Sequence, residues 1–259
     1  MTGSSSGIGA ATAVRLAADG AAVALVARRG DRLAELASTI RDAGGTALAA
    51  PADVTDHRQA REVVEHSVRE LGRLDTLVNN AGIMLLGLAL DAPAEEWDKM
   101  VALNVQGLLH VTHAALPHLV NAAKGSPRRV ADLVNISSTA GRVARPGGSV
   151  YALTKFGLAG FAESLRQELQ PQRVRVSVVE PGTVDTELVS HVRDGVREAA
   201  RSQVASIEAL RPEDGSRARR LGGGWRRLSM PSGQLFADTP GDVERREESP
   251  GPDPAPCEV

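Results

Sequence analysis

The chain has 259 residues, 30 Lys and Arg against 32 Asp and Glu, and a formal net charge of -2, so it carries no basic field for nucleic acid or an anionic membrane. Its single cysteine, Cys257, excludes an internal disulfide framework and a thiolate metal cluster. No run approaches the roughly 18 apolar residues of a membrane span and the start has no basic stretch followed by an apolar one, so a soluble cytoplasmic protein acting on small molecules is expected.

From residue 10 to about 210, helix-like and strand-like stretches alternate. Ala10–Asp19 has helix character and ends at Gly20; Ala21–Ala27 is a continuous apolar run of strand length, suited to burial on both faces. Arg32–Ala43 predicts a helix stopped by Gly44 and Gly45, Thr46–Val54 a strand, Asp56–Leu71 a helix and Leu74–Val78 a strand. Pro93 stands at a tolerated helix start, before two helical segments over Glu95–Ala123. Val130–Ile136 and Val174–Val179 predict two further strands, with a helix over Ser149–Leu169 between them. Repeated βα units of this length specify an α/β fold: one Rossmann-like, doubly wound parallel sheet with helices on both faces.

The regular pattern stops at Asp214, so residues 1–214 are expected to form the domain and 215–259, rich in Gly, Pro, Arg and Ser, an irregular tail. The basic knot Arg217–Arg227 has no interleaved aromatics beyond Trp225 and reads as solvated, not as a nucleic-acid surface.

Two patterns carry chemistry. At the start, Gly3, Gly7 and Gly9 space out a turn before the first helix, with Ser5, Ser6 and Ile8 between them. Such a turn lets backbone N–H groups approach a pyrophosphate at a helix N-terminus. Glycine turns are common, and the end of the next strand is what adds meaning. There an Asp or Glu would bind a ribose 2′-hydroxyl, whereas this chain places Arg28 and Arg29, whose forks suit a 2′-phosphate. The expected cofactor is NADP(H) in preference to NAD(H).

The second pattern is Tyr151 with Lys155. With 27 arginines against three lysines, and one tyrosine in all, neither residue is explained by composition. On a helix the i,i+4 spacing puts both on one face, where an ammonium is expected to lower the phenol pKa for general acid/base work. No metal site is expected: the six histidines show no ligand spacing, and His110 and His113 read as structural.

Thr2-Gly3 with Gly7-Ile8-Gly9, Asn79-Asn80-Ala81-Gly82, Ser138 thirteen residues before Tyr151, Tyr151 with Lys155, and Pro181-Gly182 together resemble the short-chain dehydrogenase/reductase family over about residues 2–214. NNAGIMLLG and EPGTVDTEL are similar to its NADP-dependent clavaldehyde-reductase and 3-hydroxy-acid-dehydrogenase-like branch. The resemblance implies an oxidoreductase interconverting a carbonyl and an alcohol, with Tyr151 as proton donor. Lys155 would tune the tyrosine and hold the nicotinamide ribose, Ser138 would polarise the carbonyl, and Asn104 would support a proton relay. It further implies adenine contacts from Asp53 and Val54, a wall beside the adenine ribose from Asn80, Ala81 and Gly82, and nicotinamide contacts from Pro181, Gly182, Val184 and Thr186. A pocket lid over Glu187–Leu210 and a homodimer or homotetramer are also implied.

The chain departs from that pattern at both ends. An apolar strand is expected before Thr2, and its loss would leave two neighbouring strands with unpaired ladders; a helix and strand are expected after Asp214. An internal start codon and a frameshift are the expected sources of these two departures. The competing readings are a catalytically impaired NADP(H)-binding protein and, less suited to Asn79–Gly82 and Asn104, a sugar-nucleotide epimerase.

Overall fold

The computed structural model describes residues 1–184, 186–188 and 211–212, together with four short strands between 220 and 235. Five parallel strands and six α-helices alternate through the first 179 residues. They are α1 (Gly7–Ala18), β1 (Ala22–Ala27), α2 (Gly30–Asp42), β2 (Thr46–Pro51), α3 (His57–Leu71), β3 (Thr76–Asn79), α4 (Ala94–Val101), α5 (Leu108–Gly125), β4 (Ala131–Ile136), α6 (Ser149–Leu169) and β5 (Val174–Val179). A π-helical turn, Ala102–Gly107, joins α4 to α5.

Local chemistry sets several of these boundaries. Asp56 caps α3 by accepting from the Gln59 N–H at 2.8 Å, and Gly72 ends the helix at φ 84°, which suits a residue without a Cβ. Gly7 and Gly9 fall within the span of α1, so the helix begins at Gly7 and not at Ala10.

β1 pairs with β2, and β4 lies between β3 and β5, all parallel. Between β1 and β3, where the sequence led us to expect unpaired ladders, runs the segment Met1–Ser4, which makes one parallel bridge from Thr2 to Val26. The Val26 N–H donates to the Met1 carbonyl (2.9 Å), the Met1 amine to the Ala24 carbonyl (2.8 Å), and the Thr2 N–H to the Val78 carbonyl (3.0 Å). That expectation needs correcting: the C-terminal halves of both neighbours are tied to this segment. The spatial order is β2–β1–(Met1–Ser4)–β3–β4–β5. The crossover direction reverses at this segment, and in such sheets ligands bind beyond the strand C-termini at that point.

Alternating strand residues face opposite layers. Leu77, Leu133 and Val176 join the core under α3, α5 and α6, which also takes Val64, Leu119 and Leu165. Val23 and Leu25 pack with Ala13, Ala17, Leu33 and Ile40 of α1 and α2. Met1 touches both this second core and the small cluster of Val78, Val134 and Val179.

Beyond Asp214, where the sequence shows no period, two antiparallel pairs occur, Arg220–Leu221 with Gly224–Trp225 and Leu228–Met230 with Gly233–Leu235. Among the described residues no helix is long and apolar enough to cross a membrane.

Candidate active site

A cleft of about 460 Å³ opens at the C-terminal ends of the strands, within the size range of small-molecule sites. Its upper wall is the glycine turn, and reciprocal contacts hold that turn in place. The Thr2 hydroxyl, on a residue 3% exposed, accepts the N–H groups of Asn80 (3.0 Å) and Ala81 (3.1 Å). The Asn80 amide in turn donates to the carbonyls of Thr2 and Gly3, both at 3.1 Å. Gly3 is left-handed at φ 67°, and a Cβ on Gly9 would lie 2.1 Å from the Gly3 carbonyl oxygen, so the turn and helix start fit only without side chains.

The mouth of α1 suits an anion. Its N-cap, Ser6, makes no side-chain capping bond, and its first turn holds no acidic residue. The N–H groups of the first turn and the helix dipole therefore face the cleft, with the Glu187 carboxylate held nearby on Arg29. Arg28 lines this end, exposed and with no hydrogen bond or ion pair among the described residues. Arg29 is engaged: it donates to the hydroxyls of Ser5 (2.8 Å) and Ser6 (2.8 Å) and to the Glu187 carboxylate (2.9 Å).

Deeper in, β4 ends at Ile136 and delivers Ser137 and Ser138, while α6 delivers Tyr151 and Lys155 from one face. Tyr151 is 7% exposed and its hydroxyl hydrogen-bonds with Ser138, whose Oγ also accepts the Ala140 N–H at 3.2 Å. The Lys155 ammonium donates to the Ile136 carbonyl (3.0 Å) and lies 5.7 Å from the Tyr151 ring centroid. Burial draws that ammonium from 10.5 down to about 8, leaving it mostly protonated at neutral pH.

The expected lowering of the tyrosine pKa does not occur in this arrangement. Burial raises the phenol above its ordinary value, and the Ser138 hydrogen bond offsets only part of this. The lysine donates to the Ile136 carbonyl. The resting phenol is thus held neutral, the state of a proton donor.

Of the residues singled out from sequence, Gly3, Ser5, Ser6, Gly7, Ile8, Arg28, Arg29, Asp53, Val54, Asn80, Ala81, Gly82, Ser138, Tyr151, Lys155, Pro181, Gly182, Val184 and Thr186 all line this one cleft. Gly9 and Asn104 do not. Gly9 packs beneath the turn, and Asn104 sits in the π-helical turn with its side chain spent on the loop after Gly82. Its Oδ1 accepts the Ile83 N–H (2.8 Å) and its Nδ2 donates to the Ile83 carbonyl (2.9 Å) and to Thr154 (3.3 Å). Asp53 spends Oδ1 on the Thr55 N–H and hydroxyl. Of the lid segment, only Glu187 and Leu188 lie among the described residues, and both line the cleft.

Ser137, Ile83 and Leu103 line the cleft unanticipated, and Glu187, expected only as part of a lid, also pairs with Arg29. The first three adjoin motif residues, so their neighbourhood was a usable signal. Glu187 meets Arg29 across 158 residues of sequence, which no local pattern encodes.

These features fit a nicotinamide dinucleotide on the structure's own terms: an uncapped helix N-terminus and cationic groups at one end, and at the other the buried Ser137 hydroxyl, which has no hydrogen-bond partner. The short chain dehydrogenase family profile matches residues 1–197. The chain belongs to the short-chain dehydrogenase family. Within it, the chain is 33% identical over 214 residues to the 3-oxoacyl-(acyl-carrier-protein) reductase FabG of Thermotoga maritima, covering 83% of this chain and 85% of that one. It is 36% identical to the glycine betaine reductase ATRR of Emericella nidulans, again over 83% of this chain but only 16% of that much longer protein.

Among solved structures of family members, the 3-ketoacyl-(acyl-carrier-protein) reductase of Brucella melitensis complexed with NADH superposes with a TM-score of 0.73 at 30% identity, over 84% of this chain and 86% of that one. A short chain dehydrogenase of Burkholderia cenocepacia J2315 in complex with NADP gives 0.71 at 34% identity, over 83% and 85%. The fold is thus the Rossmann-like fold of short-chain dehydrogenases, a family of oxidoreductases.

Proposed function

We propose that this short-chain dehydrogenase is an NADP(H)-dependent enzyme that interconverts a small aldehyde or ketone with its alcohol. The observation that carries the reading is the buried Ser138–Tyr151 pair with the Lys155 ammonium beside it, at the inner end of a cleft whose outer end is cationic.

When bound, the dinucleotide supplies the hydride that the carbonyl carbon accepts; everything else falls to side chains. Ser138 positions the carbonyl oxygen by hydrogen bonding and polarises it. Tyr151, held as a neutral phenol, gives that oxygen its proton. The Lys155 charge stabilises the phenolate left behind, in a site where burial strengthens the interaction. Asn104 acts as a positioning residue by holding Ile83 at the cleft wall. Gly3 to Gly9 and the α1 N-terminus would hold the pyrophosphate, Arg28 and Arg29 with Ser5 the 2′-phosphate, and Asp53 and Val54 with Asn80 to Gly82 the adenosine end. Pro181, Gly182, Val184 and Thr186 would hold the nicotinamide. The exposed side chains of Leu109 on α5 and Leu153 and Phe156 on α6 support a homo-oligomer.

The test is turnover on an aldehyde and ketone panel beside nucleotide calorimetry. Tyr151→Phe is expected to lower kcat by about 10²- to 10⁴-fold while the nucleotide affinity stays within about twofold. Retained turnover overturns the proton-donor role. Arg28→Asp should weaken NADPH far more than NADH, and equal losses would sink the cofactor assignment.

A further inference from the structure

Glu187 bridges two guanidinium groups across the mouth of the cationic end of the cleft. Its Oε2 accepts from Arg29 Nη1 at 2.9 Å and its Oε1 from Arg32 Nη1 at 2.6 Å. Those hydrogen bonds, from Arg32 foremost and then Arg29, pull the carboxyl down to about 2, so it is a full anion at any working pH. The same Arg29 fork holds Ser5 and Ser6 at the uncapped start of α1. A carboxylate is therefore already bound where the charge, the fork geometry and the helix N-terminus would receive a phosphate.

We infer that Glu187 is a specificity-determining residue: a built-in competitor that occupies the Arg29 fork and sets how strongly a 2′-phosphorylated adenosine is preferred over its unphosphorylated counterpart. This rests on the NADP(H) reading above and names the residue that limits it. A 2′-phosphate reaching Arg29 has to displace the carboxylate or share the fork with it, and a like charge within a few ångströms is unfavourable. An adenosine with a free 2′-hydroxyl brings no second anion and meets no such competition. Arg28, which has no partner among the described residues, is the cation left for the phosphate while Glu187 stays in place. Glu187 and Arg32 are both about two-fifths exposed, so the exchange takes place in reach of water and at modest cost.

The experiment is calorimetry of the full chain with two probes, adenosine 2′,5′-bisphosphate and 5′-AMP, for the parent and for Glu187→Gln. Circular dichroism melting confirms that the variant is folded, and Glu187→Ala guards against a new amide hydrogen bond. Removing the carboxylate is expected to tighten the bisphosphate about fivefold, the size of two half-exposed ion pairs, and to leave 5′-AMP within about twofold. Parent discrimination between the probes that neither variant changes overturns the competitor role, as does equal tightening of both. A parent that binds the two probes equally overturns the NADP(H) reading itself, so the two failures are separable.

Discussion

Lys155 is the residue whose removal separates stability from function most sharply. It is 8% exposed, and its Nζ has one hydrogen-bond partner in the described structure, the Ile136 carbonyl at 3.0 Å. Burial lowers its pKa from 10.5 to about 8. At about 1.4 kcal/mol per pH unit, keeping it charged costs the fold about 3 kcal/mol below pH 8. Lys155→Met keeps an apolar stem and removes the charge, but it strips the Ile136 carbonyl of its donor, a loss of about 1–2 kcal/mol. The net expectation at pH 7 is a variant about 1–2 kcal/mol more stable than its parent, a few degrees in Tm, with turnover abolished.

The pH dependence gives the sign check. The unfolded chain keeps the Lys155 proton up to 10.5 and the folded chain only up to about 8. Between those values unfolding takes up a proton, so the parent gains stability as pH rises. The methionine variant lacks that gain. Its advantage should be flat below pH 8, shrink as pH rises above 8, and reverse before pH 10.5 is reached. Urea unfolding followed by circular dichroism at half-unit steps measures this directly. A variant less stable than the parent at pH 7, or a difference that ignores pH, refutes the account of a desolvated ammonium.

Three further substitutions probe the scaffold around the cleft. Gly9→Ala places a Cβ 2.1 Å from the Gly3 oxygen and 2.6 Å from the Asn80 amide, so the turn must open; calorimetry should show nucleotide affinity down by more than about tenfold in a folded protein. Thr2→Val removes the acceptor of two N–H groups and should lower the unfolding free energy by about 2 kcal/mol, read as a lower urea midpoint at unchanged slope. Asn104→Ala releases both backbone groups of Ile83 and should lower kcat with little effect on nucleotide affinity, whereas Asn104→Asp, which keeps the acceptor for the Ile83 N–H, should recover part of it.

The periodicity of the sequence carried the fold well where a strand is buried on both faces or a helix is long. The stretches read as Ser149–Leu169 and Val174–Val179 are α6 and β5 to the residue. Short-range signals misplaced the start of α1, because glycine suggests a turn while here Gly7 and Gly9 fall within the helix span. The filled position between β1 and β3 was not legible, since four residues have no period and Met1–Ser4 is held there by partners 22 to 76 residues away. The π-helical turn escaped for a related reason: its extra residue changes hydrogen bonding without changing the apolar pattern. Glu187 needed the third dimension altogether.

What the motifs encode is largely their grip on one another. Thr2 and Asn80 exchange hydrogen bonds, Gly9 exists to let Gly3 approach, Asn104 is consumed by Ile83, and Asp53 by Thr55. Each such pair fixes part of the cleft wall and engages the side-chain atoms it uses. The groups still able to act on a ligand are the ones these pairs hold open: the N-terminal turn of α1, Arg28, the Ser137 hydroxyl, and the Tyr151 phenol with Lys155 behind it. Anion capture lies at one end of that set and proton donation at the other. A dinucleotide with a carbonyl substrate at its nicotinamide is the ligand that needs both together, which is why the cofactor reading and the carbonyl chemistry stand or fall as one.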